Sequence, residues 1–470
     1  MKHLLKFPIL IILLFSSSAS SAQSSGNLQL DTLLSNTLDS MRTVLNAKSL
    51  SAAIQFPDTA VWADASGISG AGVNVTTDDA YLIGSVTKTI TSACILQLVD
   101  QGILSLDDSL HEWLDTIQYI NPDITIRQLL RHQSGLYDVL NNPACQPALI
   151  GNTSAIWSAN DLITNFILPP VASAGGVWNY CNTNYFLLGM IIESATGNPY
   201  YVELRNRFYG NYGYTTFGIP SFEPYAQPVA HLWLDLNNDG VLDDAHSFYF
   251  NYLSLNSAAG AAGGYYATPS DLSRWMRSYM RGDVVSPAMM AEAKTVINAS
   301  GSQGGKYGLG LMRNTFQGLE AYGHGGDLAY AASSWYITDR DISISVLMNH
   351  NGLTSWNLLP VVSALLKTYN NWLLLTSSPE YTPSQVTLRV YPNPCREFTT
   401  VSFPAVGNDS DLQLVLRNGL GQSVLVTSDF SAAPGGTVCR LNDLGSLSAG
   451  MYLIQLLKDG EIIGTSRLVR

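Results

Sequence analysis

Apolar residues recur at helical spacing from Leu30 to Val44, which predicts a first helix. Leu50–Trp62 and Gly70–Val75 are short apolar runs set off by glycine-rich turns and read as strands. From Gly84 the spacing becomes helical again and stops at Gly102, the residue type that most readily closes a helix. Tyr185–Ala195 reads as an apolar helix, and helices and loops alternate as far as Trp275–Met280. Tyr307–Met312, Ser334–Ile337 and Ile342–Met348 then read as strands. Asn357–Tyr369 reads as a late helix with Pro360 in its first turn, where a missing N–H is tolerated. Strand-forming segments at both ends with helices between them predict an α/β (α+β) domain, a sheet flanked by helices beside a helical region.

The pattern changes at Thr376–Ser384, which is rich in Ser, Thr and Pro and predicts a linker over residues 375–385. Beyond it only strands are expected. Val386–Val390, Leu412–Leu416, Ser423–Thr427 and Met451–Leu456 alternate apolar and polar residues between Gly, Asn and Asp turns. They describe a small all-β sandwich over residues 386–470, of about 80 residues. At the other end, Lys2, His3 and Lys6 precede the apolar run Phe7–Phe15 and the small residues Ser16–Ala22. This reads as a signal peptide over residues 1–22, cleaved near Ala22. Residues 23–37 form a lead-in, and the large domain is expected over residues 38–374.

Charge narrows the partners. The formal net charge is −12, and an acidic chain is repelled by nucleic acid and by anionic membrane surfaces. No apolar run approaches the roughly 20 residues a membrane-spanning helix needs. The five cysteines, Cys94, Cys145, Cys181, Cys395 and Cys439, leave at least one unpaired. Their spacing suggests no zinc site.

Ser85-Val86-Thr87-Lys88 is the only Ser-x-x-Lys in the chain. At about 3.6 residues per turn, positions i and i+3 share a helix face. The Lys88 amine can therefore reach the Ser85 hydroxyl and, if desolvated, remove its proton. An N-cap serine beside a surface lysine gives the same letters. Downstream, Tyr180 could relay a proton as phenol or phenolate, and Asn182 could bind both Lys88 and a carbonyl. Tyr-x-Asn also occurs at Tyr119, Tyr209, Tyr249, Tyr369 and Tyr391, so alone it separates nothing from a packed loop tyrosine. Later, His324-Gly325-Gly326-Asp327 would let a substrate lie against backbone, although a lone histidine in a turn usually has no chemical role.

Taken in order, these elements resemble the serine β-lactamase and penicillin-binding-protein superfamily. The branch they resemble holds class C β-lactamases, D-Ala-D-Ala carboxypeptidases and family VIII-type esterases. The surrounding text carries the resemblance further: LIGSVTKT, LLRHQSGL at Leu129–Leu136, NYCNTNYFLLGMIIESATG, AAGGYYATPSDLSRW, YGLGL and YGHGGD. It extends from about Leu38 to Trp372. It implies a β-lactamase/transpeptidase-like fold with an antiparallel sheet, and hydrolysis through an acyl-enzyme without metal or organic cofactor. Ser85 would be the nucleophile, Lys88 the base or its partner, and Tyr180 the proton carrier for the leaving group. Asn182 would orient substrate, His324, Gly325 and Gly326 would line the cleft, and the N–H groups of Ser85 and Asp327 would form the oxyanion hole. Where the family has Lys-Thr-Gly this chain has His324-Gly325-Gly326 followed by Asp327, which would hold a β-lactam carboxylate less well unless His324 is protonated. A D-Ala-D-Ala carboxypeptidase-like peptidase or an esterase is therefore expected before a β-lactamase. A non-catalytic penicillin-binding-like surface receptor should have lost Ser85 or Lys88, and neither is lost. No Gly-x-Ser-x-Gly occurs, which argues against an α/β-hydrolase.

Two further features stand apart. Asp235, Asn237, Asp239 and Asp243 space oxygen atoms like the start of a calcium loop, but the closing position holds His246 where a Glu is required. A structural calcium ion and a polar hairpin tip are both consistent with this. The C-terminal module resembles the type A sorting domain of the type IX secretion system. The resemblance rests on Val390-Tyr391-Pro392-Asn393-Pro394, Leu416–Gln422 and Ala449-Gly450-Met451-Tyr452-Leu453. It implies passage through that machinery and an extracellular or cell-surface destination.

Overall fold

The computed structural model describes residues 23–225, 227–246, 253–350, 352–376, 386–406, 412–418, 423–433 and 435–470. The expected signal peptide, the linker beyond Thr376 and residues 419–422 of the central sorting motif lie outside the described residues.

The first helix, α1 (Leu28–Leu45), starts where the Asn27 side chain accepts the Leu30 amide. Leu30, Leu34 and Leu38, four residues apart, bury one face. The helix starts two residues earlier than its periodicity suggests, so most of the expected lead-in belongs to the packed domain. The chain then forms β1 (Ser49–Gln55), β2 (Val61–Gly70) and β3 (Val73–Asn74). Leu50–Trp62 is thus a hairpin and not a single strand. Its turn places Thr59 at φ 72°, and Asp58 accepts the Ala60 amide, so a short polar side chain closes it.

The rest of the sheet comes from the far end of the domain. It comprises β4 (Ile297–Asn298), β5 (Lys306–Tyr307), β6 (Met312–Phe316), β7 (Leu319–Leu328), β8 (Tyr330–Ile337) and β9 (Ile342–Met348). The nine strands lie in the order β3-β2-β1-β9-β8-β7-β6-β5-β4, and each neighbouring pair is antiparallel. The expected strand Tyr307–Met312 is broken, because Gly310 takes φ 73° and Gly308–Leu311 loops between β5 and β6. Pairing of β1 with β9 joins the two ends of the large domain into one sheet, as the sequence pattern predicts.

Five further helices matter for the site: α2 (Thr87–Asp100), α3 (Thr183–Thr196), α4 (Leu253–Gly263), α5 (Pro269–Arg281) and α6 (Ser355–Thr376). Helices α1 and α6 share one face of the sheet and join through the hydroxyls of Thr37 and Thr368, 2.8 Å apart. Because α6 begins at Ser355, Pro360 falls in its second turn and not its first. Helix α5 packs on the opposite face, where Trp275 and Met276 are fully buried. Both α2 and α3 are buried nearly all round, which suits helices in the middle of a large core.

The C-terminal segment forms two four-stranded sheets with a separate core that includes Val401, Leu414, Ile454 and Leu468. Strands Leu412–Arg417, Ser423–Thr427 and Met451–Lys458 fall where alternation places them. The expected strand Val386–Val390 begins later, at Arg389–Tyr391. Thr399–Phe403, Gly436–Leu441 and Glu461–Val469 add strands that the sequence reading did not single out.

Candidate active site

Ser85 lies in the tight turn Gly84–Val86 that leads into α2. The turn depends on Gly84, at φ 50°, where a Cβ would come within 2.8 Å of the Asp327 nitrogen. From the other side, a Cβ on Gly326 would land on the Ile83 carbonyl oxygen and within 2.9 Å of the Ser85 nitrogen. Two glycines thus allow β7 to lie directly against the serine turn. This contact brings the backbone of Ser85 and Asp327 together at one edge of the cleft.

One turn into the helix, Lys88 is fully buried. Its Nζ lies 3.0 Å from Ser85 Oγ, 2.8 Å from Asn182 Oδ1 and 2.8 Å from the Ala262 carbonyl oxygen. The last two can only accept. Asn182 is oriented by Asp138, whose Oδ2 accepts both its Nδ2 and its backbone N–H at 2.9 Å. A neutral Lys88 amine has two hydrogens, which these two acceptors take, and its lone pair is left facing the Ser85 hydroxyl. Burial makes that state accessible by lowering the Lys88 pKa to about 7, against the opposing pull of Asp138. The geometry is that of a serine poised beside its own base.

Tyr180 lies over the pair, its ring centroid 4.9 Å from Lys88 Nζ and its hydroxyl in contact with Ser85. Burial holds its pKa well above the ordinary phenol range, and Asp138 and Asp327 reinforce the shift. Of the two forms that the sequence allows, the neutral phenol is the one this environment favours.

The third element differs from expectation. His324 is fully buried, not lining the cleft as an anion receptor. Its Nε2 meets the Tyr307 hydroxyl at 3.0 Å and its Nδ1 meets the Gly325 carbonyl, so both nitrogens are occupied. Burial and the proximity of Lys88 drop its pKa to about 3, and it remains neutral where the protein would work. Gly325 makes room for the Gln303 amide and the Ser355 hydroxyl. Asp327, exposed as a residue, turns its carboxylate to Ser355, accepting the hydroxyl and the backbone N–H at 2.6 Å each. It caps the start of α6.

The sequence therefore places Ser85, Lys88, Tyr180, Asn182, Gly326 and Asp327 in one site. Four contributors were given no role by the sequence. His132, Tyr307 and Ala262 lie inside segments that carry the family resemblance, LLRHQSGL, YGLGL and AAGGYYATPSDLSRW, and Asp138 lies two residues past the first of them. The candidate calcium loop is a hairpin tip between Trp233–Leu234 and Asp243–Asp244. There Asp235, Asn237, Asp239 and Asp243 accept backbone amides of the loop itself. Among the described residues no group of three or more His, Cys, Asp or Glu is disposed to hold a metal ion. All five cysteines are buried and unpaired. No helix among the described residues is long and apolar enough to cross a membrane.

A penicillin-binding protein of Bacillus subtilis (strain 168) is 24% identical over 269 residues, 53% of this chain and 56% of the relative. A D-aminopeptidase of Cereibacter sphaeroides is 26% identical over 274 residues, 57% of this chain and 50% of the relative. The chain thus spans about half the length of these curated relatives. Among solved structures, a D-stereospecific amidohydrolase from Streptomyces superposes with a TM-score of 0.61 at 27% identity, covering 71% of this chain and 98% of that one. The beta-lactamase family model matches residues 49–361, and the secretion system C-terminal sorting domain matches residues 389–469. The chain belongs to the beta-lactamase family and carries a C-terminal secretion sorting domain.

Proposed function

We propose that this hydrolase cleaves amide or ester bonds through an acyl-enzyme on Ser85. Lys88 takes the serine proton through the lone pair left free by Asn182 and Ala262. Tyr180, as a neutral phenol, returns a proton to the leaving group, and the N–H groups of Ser85 and Asp327 stabilise the oxyanion. Water then releases the acyl group by the reverse proton path. The observation that carries this reading is the fully buried Lys88, 3.0 Å from Ser85 Oγ with two obligate acceptors on its other sides.

The charges around the cleft bear on the substrate. Asp138 and Asp327, which both act on Tyr180, are acidic, and His324 supplies no positive charge to replace the family's lysine. A carboxylate beside the scissile bond, as in a β-lactam or a peptide ending in D-Ala-D-Ala, meets repulsion here. A free amino group or a neutral ester does not. The substrates favoured are short amides of D-amino acids with a free amine, in line with the D-aminopeptidase and D-stereospecific amidohydrolase relatives, and small esters. The sorting-domain match supports export of this activity, to the outside of the cell or its surface.

Side-by-side turnover of a chromogenic cephalosporin, a p-nitrophenyl ester, a D-Ala-D-Ala peptide and a D-amino acid amide tests the reading. The ester and amide are expected to exceed the cephalosporin in kcat/KM by about 100-fold, or roughly 2.7 kcal/mol. A fluorophosphonate probe should label the wild type and not Ser85→Ala. Absence of Ser85-dependent labelling with both this probe and a fluorescent penicillin would sink the enzyme mechanism.

A further inference from the structure

Beneath Tyr180 runs a chain of buried polar groups that the hydrolytic mechanism does not use. The His132 Nδ1 faces two donors, the Cys181 N–H at 3.2 Å and the Asn184 amide at 3.1 Å. Its Nε2 meets the Tyr307 hydroxyl at 3.2 Å, and Tyr307 meets His324 Nε2 at 3.0 Å. At one end His324 Nδ1 meets the Gly325 carbonyl, and at the other the Ser134 hydroxyl donates to Asn184 at 2.6 Å. His132, Asn184, Tyr307 and His324 are each fully buried.

The protons of this chain can be arranged in one way. With Nδ1 of His132 facing two donors, it must accept, so the His132 proton is on Nε2 and goes to the Tyr307 oxygen. Tyr307 must then donate to His324 Nε2, and the His324 proton is on Nδ1, donated to the Gly325 carbonyl. Both rings are neutral with fixed tautomers, and every polar atom of the chain has a partner.

The chain ties the two walls of the cleft together. Its Cys181–Asn184 end belongs to the turn that carries Tyr180 and Asn182, and its Gly325 end belongs to the strand pressed on the serine turn. In the middle, the His132 ring lies against Tyr180, with centroids 4.3 Å apart and planes 34° apart. His132 also holds a left-handed backbone at φ 56°, a conformation that few residues other than glycine adopt and that histidine tolerates better than most.

We propose that the His132–Tyr307–His324 chain is a positioning device that holds the Tyr180 phenol in line with the leaving group. On this view the histidine that stands in the family's Lys-Thr-Gly position acts through Tyr180 and does not touch substrate. The inference rests on the proposed role of Tyr180 in leaving-group protonation, and its test exploits that role. An amide or alkyl ester needs a proton on its leaving group, whereas p-nitrophenolate departs without one. A misaimed Tyr180 therefore penalises the first class selectively.

The test compares kcat/KM, which reports acylation and leaving-group departure, for a D-amino acid amide and for a p-nitrophenyl ester in the full-length wild type, Tyr307→Phe, His324→Leu and His324→Gln. Tyr307→Phe keeps the ring and breaks the chain. His324→Leu removes the acceptor, and His324→Gln restores one with its carbonyl oxygen. Amide kcat/KM is expected to fall at least about 10-fold in Tyr307→Phe and His324→Leu, with ester kcat/KM within about 3-fold and amide KM little changed, a partial loss of what general acid catalysis contributes. His324→Gln should recover most of the loss. Equal losses on both substrates, or no loss, would overturn the proposal, because a purely structural role scales both by the folded fraction. Thermal melting of each variant gives that fraction. If Ser85→Ala retained activity, the mechanism itself would fail, a result separate from either outcome.

Discussion

Lys88 is a buried amine at a position where a charge is costly, so its protonation state should set the rate. Its pKa near 7 means that the neutral, basic form grows as pH rises through that value. The kcat/KM for a p-nitrophenyl ester should therefore climb from pH 6 and level off above about pH 8. Asp138 opposes the downward shift, since its negative charge favours the ammonium. Asp138→Asn removes that charge, and the rising limb should move to lower pH, even if the plateau falls because Asn182 is held less firmly. A limb that stays in place or moves upward would show that Lys88 is not the titrating base. Ser85, Lys88, Tyr180 and Asn182 were readable from sequence because their types and order are distinctive. The roles of Asp138, His132 and Tyr307 were not, because they act across the fold on groups distant in sequence, even though His132 and Tyr307 lie in segments that carry the family resemblance. The role of Ala262 could not be read, since it acts through a carbonyl that every residue possesses.

At the level of elements, the site depends on a strand that hydrophobic periodicity does not reveal. β7 contains Gly323, Gly325 and Gly326 in ten residues, and glycine both lowers strand propensity and erases alternation. The reason for those glycines appears only when the neighbours are known. A Cβ at 323 would strike the Ser334 carbonyl of β8, one at 325 the Gln303 and Ser355 side chains, and one at 326 the backbone of Ile83 and Ser85. By contrast, β9 is read correctly from end to end, Ile342–Met348, because it is apolar and buried throughout. Gly326→Ala should push β7 off the serine turn and open the oxyanion edge. We expect kcat/KM to fall by about 100-fold or more, as when an oxyanion donor is lost, with a stability loss of about 1–3 kcal/mol from overpacking. Gly151→Ala, where a Cβ meets nothing within 4 Å, is the matched control and should leave both unchanged. Kinetics and denaturant melts on the two variants check this, and a Gly326→Ala enzyme with wild-type rates would remove β7 from the mechanism.

Over the whole molecule, buried apolar side chains divide into distinct clusters. Two belong to the beta-lactamase-family domain: one on the α1 and α6 side of the sheet, the other running through α2, α3 and α5. The third consists only of residues from Val386 to Leu468, inside or beside the segment matched by the sorting domain. No residue of the site described above comes from that segment, and strand β1 pairs with β9 to close the hydrolase sheet without it. A separate core is what allows a domain to fold alone. Ending the chain at Thr376 should therefore leave ester kcat/KM within about 2-fold of the full-length protein and its melting temperature within a few degrees, as for changes that share no contacts with the site. The same truncation in a cell with type IX machinery should keep the enzyme from reaching the medium or the cell surface while the cell extract retains activity. The two halves of this result test different claims. Loss of activity in the purified truncated protein would show that the sorting domain contributes to the hydrolase fold. Normal export without residues 386–470 would show that the module is not the export signal.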